Sequence, residues 1–504
     1  MEESENICAE DWIAEGDALN NNEQYEEAGE AYNMAIACDP DNATAWYNKG
    51  NTLLSLDRYE EALTAFDRAI ALASEFASAW YNKGYVLGKL QRYEEALAAS
   101  CQAIAIEPRK ISAWQYKGYV LEELHRYDEA LEAYDQEIAI DSDSLSAWYG
   151  KGNILDRLGR YEEALVAYTH ALDLDPDYAA AWYNKGCTLE KQQLYEEALA
   201  SYDEAIRCDH GDASVWTSRG YALEELGRYE EACAAHTRAI LLDPNNASAW
   251  YGKGNALFEM EQCGEALAAY TRALEIDPED ASAWYNKGCA FDELHRYEEA
   301  LGAYTRVLEI DPEDASAWYN KGCALDELQR YEEAVQAYSQ SIEHNPDDTS
   351  AWDSLGVALL NLERFEEAAG AFDLALELDP ALASVWYQKG CALDELHRYE
   401  EAVLAYSQSL ELSSNDTDSW LHLGMALYNL ERYDEVVGAC DLALDLRPDD
   451  ADVWNIRGDA LMRLKQYEEA LLSYNRVLEI DPEHAHAWYN KGVAQNKLRR
   501  CSCC

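Results

Sequence analysis

The chain has 504 residues, 48% of them hydrophobic, and carries 39 basic against 98 acidic side chains, a net charge of −59 at pH 7. This length exceeds what one compact core usually holds, so several domains or a repeat array are expected. The negative charge opposes binding to nucleic acid and to anionic membranes. The acidic N-terminal sequence MEESENICAEDW is unlike a signal peptide, and no apolar run is long enough to span a membrane. We therefore expect a cytoplasmic protein whose 14 cysteines are reduced thiols.

Tryptophan marks a repeat of 34 residues along the chain. All 15 tryptophans fall at this one spacing, with no insertion or deletion between Trp12 and Trp488. Glycine stands four residues after every tryptophan, from Gly16 to Gly492, and each of the 10 prolines lies 28 residues after a tryptophan. The fold is therefore predicted to consist of repeated copies of one small helical unit.

Each unit is predicted to contain two helices. In one unit, apolar residues between Trp284 and Phe291 follow helical spacing, and a second stripe runs from Tyr297 to Val307. The sequence DPED closes this unit. Its proline resists continuation of the second helix, and its last residue, Asp314, is placed to cap the amides of the next helix.

The unit pattern of Trp, Gly, Ala, Tyr or Phe, Ala and Pro resembles the tetratricopeptide repeat family over residues 9–498. The resemblance implies an all-α, right-handed helical solenoid of antiparallel helix pairs, with fourteen full repeats and a C-terminal capping helix. It also implies that partner proteins bind along a concave surface lined by the first helix of each repeat. With Trp counted as the fourth position, that surface comprises the second, fifth, sixth, ninth, twelfth and thirteenth positions. One departure recurs: the seventh position, usually Leu in the family, is often Lys, as at Lys287.

In chain order, the predicted organisation is an N-terminal extension over 1–8, fourteen repeats over 9–484, a capping helix over 485–498 and a cysteine-rich tail over 499–504. Both ends of the array carry polar substitutions, Asp11 and Gln495 among them, which suit exposed caps. The tail RRCSCC is interpreted as a disordered end. Metal binding together with His484 and His486, and lipidation, are the alternatives for this tail.

Side chains that could carry catalysis are accounted for by the repeat itself. Paired glutamates such as Glu298 and Glu299 begin second helices, where carboxylates suit the positive end of the helix dipole. His125, His295 and His397 recur at the turn within their units and are interpreted as surface residues. The sequence has no phosphate-binding glycine loop and no paired CxxC motif. No enzymatic activity, cofactor or metal is therefore predicted.

Tyrosine and asparagine recur at the fifth and sixth positions of the first helices. These residues are candidates for partner binding, because asparagine amides could engage the backbone of an extended peptide and tyrosines could pack against its side chains. Packing between adjacent first helices is the structural alternative. The candidates are Tyr47, Asn48, Tyr81, Asn82, Tyr285, Asn286, Tyr319 and Asn320, with Tyr85 at the ninth position.

Acidic residues occupy the twelfth and thirteenth positions of many first helices, with Glu293, Glu327 and Glu395 as candidate partner-binding residues. The negative end of a helix disfavours carboxylates, so helix stability does not explain them and a basic ligand is indicated. Pairing with a following arginine, as between Glu293 and Arg296, and simple solubility are alternatives. The second position is mostly serine, so the cluster of Lys and Arg with which some family members clamp acidic chaperone tails is absent.

A second level of repetition singles out the segment WLHLGMALYNLERYDEV. Residues 315–382 and 383–450 are identical at 44 of 68 aligned positions, which indicates duplication of a two-repeat block. Within this segment, residues spaced i, i+4 and i+7 on the predicted concave face are apolar, and related residues recur two repeats earlier. These candidate ligand anchors are Leu421, Met425, Tyr428, Val357 and Leu360. Loose packing between repeats is the alternative.

Together these features predict a non-enzymatic protein-interaction scaffold. Its partners are expected to be other proteins, through basic or amphipathic segments bound in an acidic concave groove. A structural spacer or a self-assembling array without a dedicated peptide ligand is the alternative function.

Overall fold

The computed structural model describes residues 8–501, and every regular element in that part of the chain is a helix. The chain divides into two compact units, residues Met1–Ala256 and Leu257–Cys504. Over residues 9–242 in the first unit and 281–480 in the second, each odd-numbered helix is the first helix of a repeat and packs against the even-numbered helix that follows. The predicted all-α solenoid of helix pairs is thus confirmed.

The helices of the first unit are α1 (Ala9–Asn21), α2 (Tyr25–Cys38), α3 (Ala43–Ser55), α4 (Tyr59–Leu72), α5 (Ala77–Lys89), α6 (Tyr93–Ile106), α7 (Ile111–Glu123), α8 (Tyr127–Ile140), α9 (Leu145–Arg157), α10 (Tyr161–Leu174), α11 (Ala179–Lys191), α12 (Tyr195–Cys208), α13 (Ala213–Glu225), α14 (Tyr229–Leu242) and the start of α15 (Ala247–Glu259). The second unit continues with α16 (Cys263–Ile276), α17 (Ala281–Glu293), α18 (Tyr297–Ile310), α19 (Ala315–Glu327), α20 (Tyr331–His344), α21 (Thr349–Asn361), α22 (Phe365–Leu378), α23 (Ala383–Glu395), α24 (Tyr399–Leu412), α25 (Thr417–Asn429), α26 (Tyr433–Leu446), α27 (Ala451–Arg463), α28 (Tyr467–Ile480) and α29 (Ala485–Cys501).

Hydrogen bonds from the recurring tryptophans and to a capping aspartate stabilise the turn between repeats. The indole Nε1 of Trp284 donates a hydrogen bond to the carbonyl oxygen of Pro278 at 3.0 Å, and Trp318 repeats this bond with Pro312. Asp314 accepts from the backbone N–H of Ala317 at 2.9 Å, which confirms the predicted helix cap. The constant spacing of Trp and Pro therefore reflects a hydrogen bond that joins the first helix to the preceding turn, whereas the buried Nε1 of Trp216, which has no proline before it at this spacing, lacks a partner among the described residues.

The turn within each repeat places one residue in the left-handed region, with φ of 55° at His295 and 58° at His397. Two repeats have Gly159 and Gly227 at this place, for which positive φ carries no steric penalty. The exposed His295 ring nitrogen Nδ1 lies 2.9 Å from the hydroxyl of Tyr297. These histidines are thus local turn residues at the surface, in agreement with the sequence interpretation.

A single aromatic side chain fills the space between the two helices of most repeats. Tyr304, at the twenty-fourth position, is fully buried, and a Cβ added to Gly288 would lie 2.5 Å from its ring. Ala300, also fully buried, lets the second helix approach closely. Glycine at the eighth position is therefore required by the ring that packs over it.

Lysine at the seventh position packs over the tryptophan of its own repeat. The ammonium of Lys287 lies 4.9 Å from the centre of the Trp284 ring, and burial lowers the pKa of this lysine. The side chain thus joins a cation–π contact, which explains why this chain carries lysine at a position where the family usually has leucine.

The ends of the chain are only partly within the described residues. Helix α29 extends to Cys501, three residues beyond the expected end of the capping helix at 498. Most of the predicted extension over 1–8 and the last three residues of the predicted tail lie outside the described part. No helix between residues 8 and 501 is both long and apolar enough to cross a membrane.

Candidate partner-binding face

The first helices of successive repeats touch each other directly, as α5 touches α7 in the first unit and α19 touches α21 in the second. The fifth, sixth, ninth, twelfth and thirteenth positions of these helices therefore lie along one side of each unit. We call this side the inner face. It contains the candidate residues predicted from the sequence.

Asparagines of the inner face bond to the preceding repeat. The Nδ2 of Asn82 donates to the hydroxyl of Tyr47 at 3.3 Å and to Oδ1 of Asn51 at 2.6 Å. In the second unit, Nδ2 of Asn320 donates to the hydroxyl of Tyr285 at 2.8 Å. Asn82 therefore uses both of its N–H groups within the array, which leaves its carbonyl oxygen for a ligand.

The remaining members of this tyrosine–asparagine set also have neighbours in the array. Asn48 donates to Asp17 at 2.9 Å, and Tyr47 packs against Phe76 with ring centres 4.6 Å apart. Tyr319 packs against the core tyrosine Tyr338 at 5.8 Å. These contacts match the structural alternative, packing between adjacent first helices, while the half-buried rings still present an edge to solvent.

Twelfth-position acids hold the hydroxyl groups of the core tyrosines. The hydroxyl of Tyr304 donates to Asp292 at 2.5 Å, and Tyr202 donates to Glu190 at 2.6 Å. Burial raises the pKa of both carboxyl groups, and the tyrosine bond opposes this rise. These acids are therefore internal hydrogen-bond acceptors as well as a source of negative charge.

Thirteenth-position acids are different, because they lie at the surface without an ionic partner. Glu293, Glu327 and Glu395 are exposed, and none of them forms an ion pair with another described residue. The proposed pairing of Glu293 with Arg296 is wrong, since Arg296 bonds instead to Glu299 in the first turn of α18 at 2.6 Å. Arg296 directly precedes α18, and Glu299 lies three residues later in its first turn. This spacing lets the guanidinium of Arg296 donate two hydrogen bonds to the Glu299 carboxylate.

The predicted apolar anchors divide into packed and exposed residues. Val357, Leu360 and Leu421 are partly buried against the hydrophobic core. Met425 is 42% exposed and, with Tyr428, lines a small cavity of about 160 Å³. Ile456 and Asp459 also line that cavity. Met425 is therefore the exposed residue of this set, whereas Tyr428 is half-buried against the same core and contacts Arg463 while it lines the cavity.

A larger cavity, of about 490 Å³, lies on the inner face across repeats three to five. The predicted candidates Tyr81 and Tyr85 line it together with Tyr116, Tyr119 and Tyr149. Sequence analysis missed this site, although a signal is present. Repeats four and five read WQYK and WYGK where their neighbours read WYNK. The Tyr-Asn pair at the fifth and sixth positions is therefore interrupted in two of the three repeats that line the cavity.

Comparison with sequence families identifies repeats along most of the chain. The tetratricopeptide repeat profile matches residues 47–111, 116–171, 149–213, 251–315, 285–340, 319–383 and 387–451. Two further profiles of such repeats match residues 16–57, 220–261 and 458–498, and residues 201–234. Comparison with curated proteins finds no match.

Solved structures similar to this chain include one described as a TPR protein. YrrB, described as a TPR protein with an unusual peptide-binding site, is 27% identical and aligns over 38% of this chain and 98% of its own, with a TM-score of 0.35. The Cut9–Hcn1 hetero-tetramer of the APC/C is 16% identical over 92% of this chain and 98% of that chain, with a TM-score of 0.35. MamA is 23% identical over 33% of this chain and 92% of its own, with a TM-score of 0.32. With profile matches over more than half of its residues and helix pairs throughout both units, the chain belongs to the tetratricopeptide repeat family.

Proposed function

We propose that this chain is a non-enzymatic scaffold that binds basic or amphipathic segments of other proteins along its inner face. The tetratricopeptide repeat fold supports a role in protein interaction in general. The observation that carries the finer proposal is the row of exposed thirteenth-position carboxylates, Glu293, Glu327 and Glu395, which have no ion pair among the described residues. Carboxylates without an ion pair, in a chain of net charge −59, create a field that attracts cationic segments.

Neighbouring arginines do not neutralise this row. Arg330 pairs with Glu333 at 2.7 Å and with Glu298 of the preceding repeat at 3.6 Å, both on second helices. Arg398 repeats the arrangement with Glu401 and Glu366. The arginines thus neutralise acids of the second helices and leave the negative charge of the first helices available to a partner.

Apolar ligand side chains have a separate place on the same face. Met425 is 42% exposed and lies beside Tyr428 and Ile456 at the cavity of about 160 Å³. A methionine thioether adapts its shape to different apolar groups. An amphipathic segment could therefore place its basic residues near the carboxylates and an apolar residue against Met425.

Fluorescence anisotropy of the full chain with labelled peptides tests this proposal. The probes are Lys-Leu-Ser repeated four times and Glu-Leu-Ser repeated four times, each at about 0.05 M and about 0.3 M salt, across which screening strengthens. We expect the lysine peptide to bind, and to bind more weakly at the higher salt concentration. Preference for the glutamate peptide, or binding of neither peptide, would refute the proposal and favour the spacer function.

Charge-matched variants locate the binding face. The triple variant Glu293→Gln, Glu327→Gln, Glu395→Gln should weaken binding of the lysine peptide. The control replaces Glu279, Glu313 and Glu377, three exposed acids outside the first helices, with Gln and removes the same total charge. Equal loss of affinity in the two triple variants would show that the net charge of the chain, and not the inner face, attracts the peptide.

A further inference from the structure

The cavity across repeats three to five is walled by tyrosine rings. The ring of Tyr116 lies 5.6 Å from that of Tyr85 and 5.7 Å from that of Tyr119, measured between centres. Tyr81 meets Tyr116 edge to face at 6.1 Å. Such a cluster presents ring faces with negative electrostatic potential, which attract cations.

Two glycines open the space in front of these rings. Gly150 takes the sixth position, where Asn184 of the next repeat bridges to Tyr149 at 3.0 Å. A Cβ at Gly150 would lie 2.7 Å from the Tyr134 ring. Gly88 lies beneath the Tyr116 hydroxyl, and any side chain at Gly88 would overlap that group. The cavity thus depends on coordinated substitutions in three consecutive repeats.

Tyr134 supplies an unused hydrogen-bonding group to this cavity. It is only 5% exposed, lines the cavity, and makes no hydrogen bond to any residue between 8 and 501 through its hydroxyl. The equivalent hydroxyl groups of Tyr202 and Tyr338 donate to the twelfth-position acids Glu190 and Asp326. Because Tyr134 lines the cavity and its hydroxyl is not enclosed by the protein, its oxygen can accept a hydrogen bond from a donor that enters the cavity.

Glu122, the twelfth-position acid of this repeat, also lines the cavity. Its side chain is 19% exposed, and burial raises its pKa. Its ionic neighbour is the exposed Arg157, whose Nη2 lies 3.6 Å from Oε1, beyond hydrogen-bonding distance. The carboxylate therefore retains lone pairs for donors that enter the cavity.

We propose that this cavity binds the guanidinium group of an arginine side chain from a basic partner segment. The inference rests on the proposed scaffold function and names the side chain recognised at this part of the inner face. The planar guanidinium would stack on a tyrosine ring that faces the cavity and donate to the Glu122 carboxylate and the Tyr134 hydroxyl oxygen.

The chain itself shows that inner-face tyrosines accept cations. Arg463 lies 6.0 Å from the Tyr428 ring centre, and its Nε is 3.3 Å from the Tyr428 hydroxyl. At the rim of the cavity, the ammonium of Lys89 lies 5.4 Å from the Tyr85 ring centre. Lys89 is exposed, so a partner arginine can displace its ammonium into water.

Arginine fits the cavity better than the other basic side chain. Lysine offers a compact, strongly hydrated charge, whereas guanidinium is planar, weakly hydrated and carries five donors. A carboxylate, a hydroxyl oxygen and several tyrosine rings line the cavity together, which suits a flat group with several donors at its edge. A purely apolar ligand would offer no donor to Glu122 or Tyr134.

The test uses the full chain and the twelve-residue Lys-Leu-Ser peptide with one central lysine replaced by arginine or by citrulline, its neutral analogue. We expect the arginine peptide to bind about tenfold more tightly than the citrulline peptide, since charge-assisted hydrogen bonds and cation–π contact are both lost in citrulline. The readout is the ratio of the two Kd values and its change in the variants, because the single positive charge that distinguishes arginine from citrulline also changes the general electrostatic attraction to the chain.

Two variants assign the effect to the cavity. Glu122→Gln should lower the ratio several-fold, and Tyr134→Phe should also reduce it while leaving the fold intact, because Phe66 and Phe372 occupy the same position in other repeats. Glu132→Gln removes an equal charge from an exposed site on α8 and should leave the ratio unchanged. A ratio near one in the unmodified chain, or a ratio unaffected by Glu122→Gln and Tyr134→Phe, overturns the inference.

Failure of the cavity and failure of the scaffold function give different results. If the parent lysine peptide binds while the arginine-to-citrulline ratio stays near one, basic segments bind elsewhere on the inner face and only the arginine site is refuted. If neither parent nor substituted peptides bind, both proposals are refuted.

Discussion

The twenty-fourth position of the repeat shows how one core residue determines its surroundings. Tyr304 is fully buried between Gly288 and Asp292, and its hydroxyl donates to the Asp292 carboxylate. The other carboxylate oxygen of Asp292 is buried and accepts no hydrogen bond from the described residues. The phenol therefore supplies a donor that stabilises a half-buried charge.

Replacing this tyrosine tests the value of its hydroxyl. Tyr304→Phe keeps the ring but deprives Asp292 of its donor, so we expect a loss of about 2 kcal/mol in the free energy of unfolding. Tyr134→Phe is the matched control, since its hydroxyl has no partner among residues 8–501, and it should change stability little. Denaturant unfolding followed by circular dichroism would compare them; equal losses would contradict this account.

His236 takes the same position in repeat seven, and it is less well satisfied than tyrosine. It is fully buried, its Nε2 lies 2.7 Å from Glu224, and its Nδ1 has no hydrogen-bond partner in the described chain. His236→Tyr should restore the phenol–carboxylate bond seen in other repeats. Gly252 of the next repeat lies against the His236 ring, and a side chain at Gly252 would overlap that ring. The absence of this side chain leaves room for a tyrosine ring at position 236. We expect a gain of about 1 kcal/mol in the free energy of unfolding.

The opposite result is expected for Cys440, another residue at this position. Cys440 is 1% exposed, burial raises its pKa to about 12, and Ile456 of the next repeat packs against the same core cluster. Ile456 occupies the sixth position of its repeat, and the corresponding residue beside His236 is Gly252. Cys440→Tyr should therefore overpack the core and lower stability by about 2 kcal/mol. Stabilisation by both substitutions would show that the sixth position does not control the available space.

At the level of the helix, the sequence determines boundaries through local chemistry. Asp314 was predicted to cap the next helix, and it bonds to Ala317 as expected, because capping depends on residues only three apart. The Trp–Pro spacing likewise corresponds to a local hydrogen bond, from Trp318 to Pro312. Both helix ends in this part of the repeat could therefore be predicted without knowledge of the tertiary structure.

Helix capping gives a prediction with an internal control. Asp314→Ala removes a side-chain acceptor from the first turn of α19 and should lower the free energy of unfolding by about 1 kcal/mol. Lys110 occupies the same place before α7 and makes no capping bond with its side chain, so Lys110→Ala lacks this cost. Amide hydrogen exchange should show faster exchange in the first turn of α19 only. Unchanged exchange there would refute the capping role.

Ion pairs were harder to predict than caps because several acids compete for each arginine. Arg296 has Glu293 three residues before it and Glu299 three residues after it, and sequence spacing alone does not separate them. The structure selects Glu299, on the helix that begins next to the arginine. The cavity at Tyr116 was missed for a related reason, since it requires substitutions in three repeats to act together across helix contacts.

On the scale of the whole molecule, carboxyl groups fall into two classes with opposite responses to pH. Burial raises the pKa of twelfth-position acids such as Asp292, Asp326 and Glu190 above the ordinary values of 3.8 and 4.5. Hydrogen bonds from arginine lower the pKa of second-helix acids such as Glu333 and Glu401. The first class destabilises the folded chain when ionised, and the second class stabilises it.

These opposite shifts predict a stability maximum on the acidic side of neutrality. An acid whose pKa is higher in the folded chain than in the unfolded chain binds its proton more tightly when the chain is folded. Its contribution to the free energy of unfolding is therefore fully present below the unfolded pKa and is lost as pH rises through the folded pKa. Lowering the pH from neutrality toward the ordinary carboxyl values should therefore raise the thermal midpoint as the buried acids take up protons, and the smaller net negative charge acts in the same direction. Further acidification protonates acids such as Glu333 and removes their pairing with arginine, so the midpoint should fall again as pH drops through their lowered pKa.

The double variant Asp292→Asn, Asp326→Asn assigns the rise to buried acids. Asparagine keeps a carbonyl oxygen to accept from Tyr304 and Tyr338 but cannot ionise. The variant should be more stable than the parent chain near pH 7.5, and its thermal midpoint should rise less on acidification. If the parent and variant curves stay parallel over the whole range, the increase comes from net charge alone and the buried carboxyl groups make no contribution of their own.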